Sequence, residues 1–190
     1  MTTTTPELRA IEGVQLRAET DNGRRYLSGT LVPYNKRARI GGFFDEEHAP
    51  GSFAKSIREA AIRLPLMAMH DHQTLPIGSA ERWDDDEVAL RGYWLVADTQ
   101  EADDIYGLVK AEHLGGLSVG FQPIQSRWTF AEGPGEIDSV VRLESRLLEA
   151  SVVPVPTWKE AVLTRTAEGR KRATPRADQW RAYLNSIKSV

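Results

Sequence analysis

Two runs that alternate apolar and polar residues, 14–20 and 26–34, flank the triplet Asp21-Asn22-Gly23. Alternation places every second side chain on one face, as a half-buried strand requires. Asn-Gly accepts the positive φ angles of a tight two-residue turn, so the three pieces together predict a β-hairpin. The strand pattern returns later in the chain. Residues 63–69 are an apolar run, residues 88–96 put Tyr93 and Trp94 on opposite faces, residues 119–124 follow a glycine-rich stretch, and residues 139–155 are a long extended segment closed by Pro154 and Pro156. Helical spacing is confined to three places. Thr99 caps a helix over residues 99–113 with Ile105, Leu108 and Val109 as its core face, stopped by Gly115-Gly116. Ser52 caps a shorter helix with Phe53, Ile57 and Ala60 or Ala61 as its stripe, and residues 178–187 gather Trp180, Tyr183, Leu184 and Ile187 on one side. Residues 36–50 read as an acidic loop, and Pro76-Ile77-Gly78 and Asp84-Asp85-Asp86 as turns. About seven strands with two or three helices predict an α+β chain: a mainly antiparallel sheet or closed β-barrel ringed by helices.

The chain has 190 residues, enough for one domain with a core of its own, and 41% hydrophobic against 27% charged residues predicts a globular body. Its limits are set by composition. Residues 1–12 are polar and read as loose, residues 13–165 as the domain, and residues 166–190 as a basic linker, including Ala167-Glu168-Gly169-Arg170-Lys171-Arg172, leading to the short last helix. A net charge of -3 gives no electrostatic case for nucleic acid or an anionic membrane as the main partner. The absence of cysteine excludes disulfides, thiolate zinc sites and a cysteine nucleophile. Met1-Thr2-Thr3-Thr4-Thr5-Pro6 has neither the charge nor the apolar run of a signal peptide, and no apolar stretch is long enough to span a bilayer, so a cytoplasmic location is expected.

Gly116-Leu117-Ser118-Val119-Gly120 has the G-x-S-x-G form of a nucleophile elbow, in which small residues let the backbone turn sharply and leave the serine Oγ open. A serine hydroxyl needs a neighbouring base, and histidine is the usual one. The four histidines, His48, His70, His72 and His113, all precede Ser118. The serine–acid–histidine order of α/β-hydrolases is therefore impossible, and any triad must begin with histidine. His70 ends the apolar run Leu64-Pro65-Leu66-Met67-Ala68-Met69, a place where a strand can hold a ring at the mouth of a cleft. His72 lies in the loop that follows, His48 reads as a solvated side chain, and His113 as a cation near a helix C-terminus. His70-x-His72 also has metallo-hydrolase spacing, but there is no H-E-x-x-H, and metal catalysis is the weaker reading. Neither a metal nor a cofactor is expected.

Five motifs in order carry a family likeness: Leu31-Val32-Pro33-Tyr34-Asn35; Phe43-Phe44-Asp45-Glu46 with Ala49-Pro50-Gly51-Ser52-Phe53; Met69-His70-Asp71 with Pro76-Ile77-Gly78; Gly116-Leu117-Ser118-Val119-Gly120-Phe121; and Leu148-Glu149-Ala150-Ser151-Val152-Val153-Pro154. Over residues 25–160 the chain resembles the prohead (capsid maturation) proteases of tailed phages and prophages. The segment ending in His70 is also similar to that carrying the first catalytic histidine of herpesvirus assemblins. The resemblance implies an assemblin-like barrel and a serine endopeptidase that works inside an immature capsid in the host cytoplasm. Its substrates would be scaffold or the scaffolding segment of the major capsid protein, and often itself, with portal and other procapsid components as partners. By the same resemblance Ser118 is the nucleophile and His70 the general base. Glu149 is the choice for the third member, because a carboxylate on an extended apolar stretch is costly to bury without a partner. Glu144, Asp98 and Asp103 stay open as alternatives, as does a solvent-facing Glu149 on an edge strand. Assemblins work as dimers, so a homodimer through the last helix is among the expectations. The competing reading is a capsid-assembly or scaffold-binding module on the same fold with an idle triad.

Overall fold

A computed structural model describes residues 7–10, 16–21, 23–133 and 135–154 of the chain. In order, the elements are β1 (Glu7–Ala10), β2 (Leu16–Asp21), β3 (Arg24–Pro33), β4 (Ala38–Ile40), β5 (Phe44–His48), α1 (Ala54–Arg58), β6 (Pro65–Ala68), β7 (Gly78–Asp85), β8 (Ala89–Val96), α2 (Gln100–Lys110), β9 (Gly116–Thr129) and β10 (Asp138–Val153). The ten strands form one sheet in the order β1-β9-β10-β6-β7-β8-β3-β2, with β5 also on β10 and β4 on β5. Residues 11–15 and 155–190 lie outside the described residues, and with them the expected domain limits, the basic linker and the last helix.

The expected hairpin is β2–β3, with Asp21 opposite Arg24 and Gly23 at φ +78°. β10 is the spine of the sheet. It pairs antiparallel with β9 along its length, and on its other side it takes β5 near its start and β6 near its end, both parallel. Between those two strands the β10 edge is satisfied by the loop after β5 and by α1. Ala49 N–H donates to Arg142 O (3.0 Å), Ser145 N–H to Ser52 O (2.8 Å) and Leu147 N–H to Ser56 Oγ (2.8 Å).

The expectation of a mainly antiparallel barrel ringed by helices is corrected on two counts. The pairings are mainly antiparallel, as expected, with β5 and β6 parallel to β10, but the ladder is open from β1 to β2, and only two helices occur among the described residues. Strand content dominates, as expected. Alternation reports that one face is buried; it does not report the direction of the neighbouring strand. The stretch 36–50, read as an acidic loop, holds β4 and β5 for a related reason. In β5 the inward side chains are Phe44, Glu46 and His48, so the pattern looks acidic although every second residue is buried. Glu46 accepts from Arg142 Nε at 2.7 Å with both side chains almost wholly buried, and Arg142 donates again to Ser126 Oγ. His48, expected in solvent, packs against Phe53 and edge-on to Phe121. β7 runs between the two expected turns and brings Trp83 edge-on to the fully buried Trp94.

The helices also differ in detail. Thr99 Oγ1 does accept from Ala102 N–H at the start of α2, but the buried face is Ala102, Ile105, Tyr106 and Val109, while Leu108 is largely exposed. The reversal after α2 uses Glu112 at φ +60°, so Gly115-Gly116 is not the stop. Tyr106 Oη donates to Glu19 O (3.0 Å), tying α2 to β2. α1 is only five residues long. Ser52 is buried without capping it, and Ala60 and Ala61 lie exposed beyond its end. Among the described residues no helix is long and apolar enough to cross a membrane.

The β7–β8 turn rests on one carboxylate. Asp86 Oδ1 accepts from the N–H groups of Val88 (2.7 Å) and Ala89 (2.8 Å), and Arg91 Nη1 donates to Oδ2 (2.8 Å). The Arg91 bond first, then the two backbone bonds, hold the Asp86 carboxyl down from 3.8 to about 2. Because the folded value lies below the unfolded one, this stabilisation is complete above 3.8 and is lost as pH falls through about 2. Asp86→Asn is therefore expected to melt below wild type at neutral pH, with the gap in Tm closing as the pH is lowered through that window. A gap that does not change with pH would refute it.

Candidate active site

Residues 116–121 of β9 are buried on both faces, which sort cleanly. Leu117, Val119 and Phe121 belong to the apolar core, and Ser118 and Gly120 look the other way. On β10, Ser151 lies opposite Ser118 and Glu149 opposite Gly120. That register depends on a bulge. Leu147 pairs with Phe121, yet the next pair is Glu149 with Gly120, so β10 gains one residue there. The extra residue reverses which face the following side chains take. Leu147, Ala150 and Val152 stay in the core, and Glu149 and Ser151 arrive on the face of Ser118.

The histidine reaches this face from β6, which runs parallel beside the end of β10 with Ala68 opposite Val152. Beyond Ala68 the chain leaves the sheet through two successive non-glycine residues in the left-handed region, Met69 at φ +53° and His70 at φ +58°. Each such residue costs about 1–2 kcal/mol. Their N–H groups are held: Met69 N–H donates to Val152 O (2.9 Å), His70 N–H to Ser151 Oγ (3.1 Å), and Asp71 N–H to Ala68 O (2.9 Å).

The turn sets the His70 ring between the two strands' side chains. His70 Nδ1 is 2.5 Å from Glu149 Oε1, and His70 Nε2 is 2.5 Å from Ser118 Oγ. A carboxylate only accepts, so Nδ1–H is the donor to Glu149; Nε2 is left as the acceptor for the Ser118 hydroxyl. Glu149 is 2% exposed and Ser118 1%. The second carboxylate oxygen, Oε2, accepts from Ser151 Oγ (2.9 Å), and Ser151 is fully buried.

Of the expected site residues, the structure thus brings Ser118, His70 and Glu149 into one hydrogen-bonded line. Glu149 is neither solvent-facing nor on an edge strand. The other acids are engaged elsewhere: Glu144 accepts from Lys55, and Asp98 and Asp103 pair with Arg25. His72 is more than half exposed, with Nε2 3.9 Å from Glu149 Oε1, and His113 is exposed at the end of α2. No group of three metal-ligating side chains occurs among the described residues. Ser151 lies in the Leu148–Pro154 motif but carries no chemical signal of its own in the sequence; the strand register and its hydrogen bonds show what its hydroxyl touches.

One expectation about Ser118 is corrected. Gly116 to Gly120 lie wholly within β9, so there is no sharp turn at the serine and no elbow. Gly120 serves another purpose. A Cβ built there would lie 2.7 Å from Glu149 Oε1 and 2.8 Å from its Cγ, so the missing side chain is the space the carboxylate crosses on its way to His70.

Over residues 12–173 the sequence matches the family described as caudovirus prohead serine protease. Comparison with curated proteins and with solved structures finds no match.

The close approach at Gly120 makes a test of the geometry itself. Gly120→Ala is expected to push the Glu149 carboxylate off His70 and to cost about 1–3 kcal/mol, the usual range for overpacking. The hydrogen-bonded Nδ1 proton of His70 is expected at low field in the wild-type NMR spectrum, and in the variant that signal should be lost. A variant that keeps this signal unshifted would show that the carboxylate does not depend on the space.

Proposed function

Because this chain belongs to the caudovirus prohead serine protease family, we propose that it is a serine endopeptidase of capsid maturation. Its substrate is scaffold or the scaffolding segment of the major capsid protein, cut inside the prohead in the host cytoplasm. In this reading Ser118 is the nucleophile, His70 the general base and Glu149 the carboxylate that orients the ring. The observation that carries it is the unbroken line from Ser118 Oγ to His70 Nε2 and from His70 Nδ1 to Glu149 Oε1, each step 2.5 Å.

The chemistry follows from that line. His70 Nε2 takes the Ser118 proton as Oγ attacks the peptide carbonyl, and the imidazolium that forms is stabilised by Glu149. The same proton then passes to the leaving amine, and an acyl-enzyme is left on Ser118. Water, activated by the now neutral His70, hydrolyses it. Burial of Glu149 strengthens its hold on the ring, because little solvent screens the pair. Ser118 is almost fully covered as well, and β1 lies antiparallel to β9 with Ala10 opposite Ser118.

The test is co-expression with the capsid protein that the protease accompanies, followed by gel and intact mass. Wild type should shorten the capsid protein. Ser118→Ala should abolish shortening, and Glu149→Gln should slow it by about 10⁴-fold, as loss of a triad carboxylate does elsewhere. A full-length capsid protein with wild type, in particles that still assemble, would replace the protease reading with the idle assembly module. Shortening by Ser118→Ala would mean that the nucleophile is another residue.

A further inference from the structure

We propose that Ser151 is a positioning residue for this site, a single hydroxyl that holds the acid and the base together. The inference rests on the reading of Ser118, His70 and Glu149 as the reacting line. It starts from a hydroxyl that is fully buried and uses both of its capacities within the site. Ser151 Oγ–H donates to Glu149 Oε2 at 2.9 Å, and Ser151 Oγ accepts from the backbone N–H of His70 at 3.1 Å.

Each bond supplies something the line lacks without it. A carboxylate has two oxygens, and His70 engages only Oε1. The bond to Oε2 sets the rotation of the carboxylate plane and satisfies an oxygen that is otherwise costly to bury. The bond from His70 N–H acts on the strained backbone. His70 is the second of two left-handed residues, and the ring direction follows from that conformation. Ser151 also sits near the end of β10, opposite both Ser118 on β9 and Met67 on β6, so its position is set by strands on both sides. One side chain on rigid backbone therefore fixes the distance from carboxylate to ring and from ring to Ser118. Ser151 touches no reacting atom. Its contribution lies in orienting the groups that do.

The test compares wild type, Ser151→Ala and Ser151→Cys, all confirmed folded by their melting transitions. A fluorophosphonate probe reads the reactivity of Ser118 without a protein substrate. Ser151→Ala is expected to lower the labelling rate about 10- to 100-fold, the worth of one hydrogen bond to a charged group. On capsid substrate, kcat should fall with KM unchanged. Cysteine is close to serine in size but a weaker donor, so Ser151→Cys should fall between the two; it carries the comparison where the alanine variant does not fold. A second reading is made in the Ser118→Ala background, where no chemistry occurs: removing the Ser151 hydroxyl should shift or broaden the low-field Nδ1 proton signal of His70. Folded variants with wild-type labelling rate and an unmoved signal would overturn the proposal. Failure of wild type to label at Ser118 would instead overturn the protease reading, and the signal in the Ser118→Ala background would still decide the role of Ser151.

Discussion

The site depends on the pairing of β9 with β10, and within it on one added residue. The ladder runs from Ser139 opposite Thr129 to Val153 opposite Gly116, with the bulge between Leu147 and Glu149. Remove that bulge and the register continues with Glu149 opposite Val119. The carboxylate would then enter the apolar core, where burial without a partner costs several kcal/mol. With the bulge, Leu147 keeps its place in the core while Glu149 and Ser151 change face. A single insertion in one strand thus separates a packing surface from a chemical one. It does so on strands held from both sides, which is the rigidity a hydrogen-bonded line of 2.5 Å steps requires.

The second requirement is to bring a histidine over that face from a neighbouring strand. A strand alone cannot, since its side chains stand perpendicular to the sheet and stay in their own row. The chain solves this at Met69 and His70 by entering the left-handed region twice in succession, at a combined cost of about 2–4 kcal/mol. Three consecutive N–H groups, from Met69 to Asp71, find acceptors and so keep the turn in place. The strain is local, and its effect is to direct the ring back over β10 and β9. Burial works in the same direction. Glu149 and Ser118 are almost out of solvent, so the bonds that define the line compete little with water.

Much of this was legible in the sequence, for identifiable reasons. The β2–β3 hairpin follows from alternation and Asn-Gly, and the N-terminus of α2 from Thr99, because both signals are local. The three residues of the line were found because serine, histidine and a carboxylate on an apolar stretch are chemically conspicuous. What escaped is non-local. β5 hides because Glu46 is buried against Arg142, a residue 96 positions away, and His48 against Phe53 and Phe121. The parallel partners of β10 leave no trace in its own pattern. The bulge is invisible because no residue type announces it. Ser151 looks like any serine in a strand until the register sets it opposite Ser118.

The G-x-S-x-G stretch shows how a motif can point to the right residue for the wrong geometric reason. Its glycines suggest a tight turn, which would expose the serine by bending the backbone away from it. In this fold the five residues are extended and paired with β10, and Ser118 to Gly120 with β1 as well, and the serine meets its partner because that partner comes to it. Gly120 is small so that Glu149, on the adjacent strand, can pass over it to His70. Alanine would fit a strand at least as well as glycine on conformational grounds, since glycine has more freedom to lose on folding. The requirement therefore comes from the neighbour and not from the backbone. A pattern of small residues marks where side chains are excluded; whether the space serves a turn or a carboxylate is decided by the strand alongside.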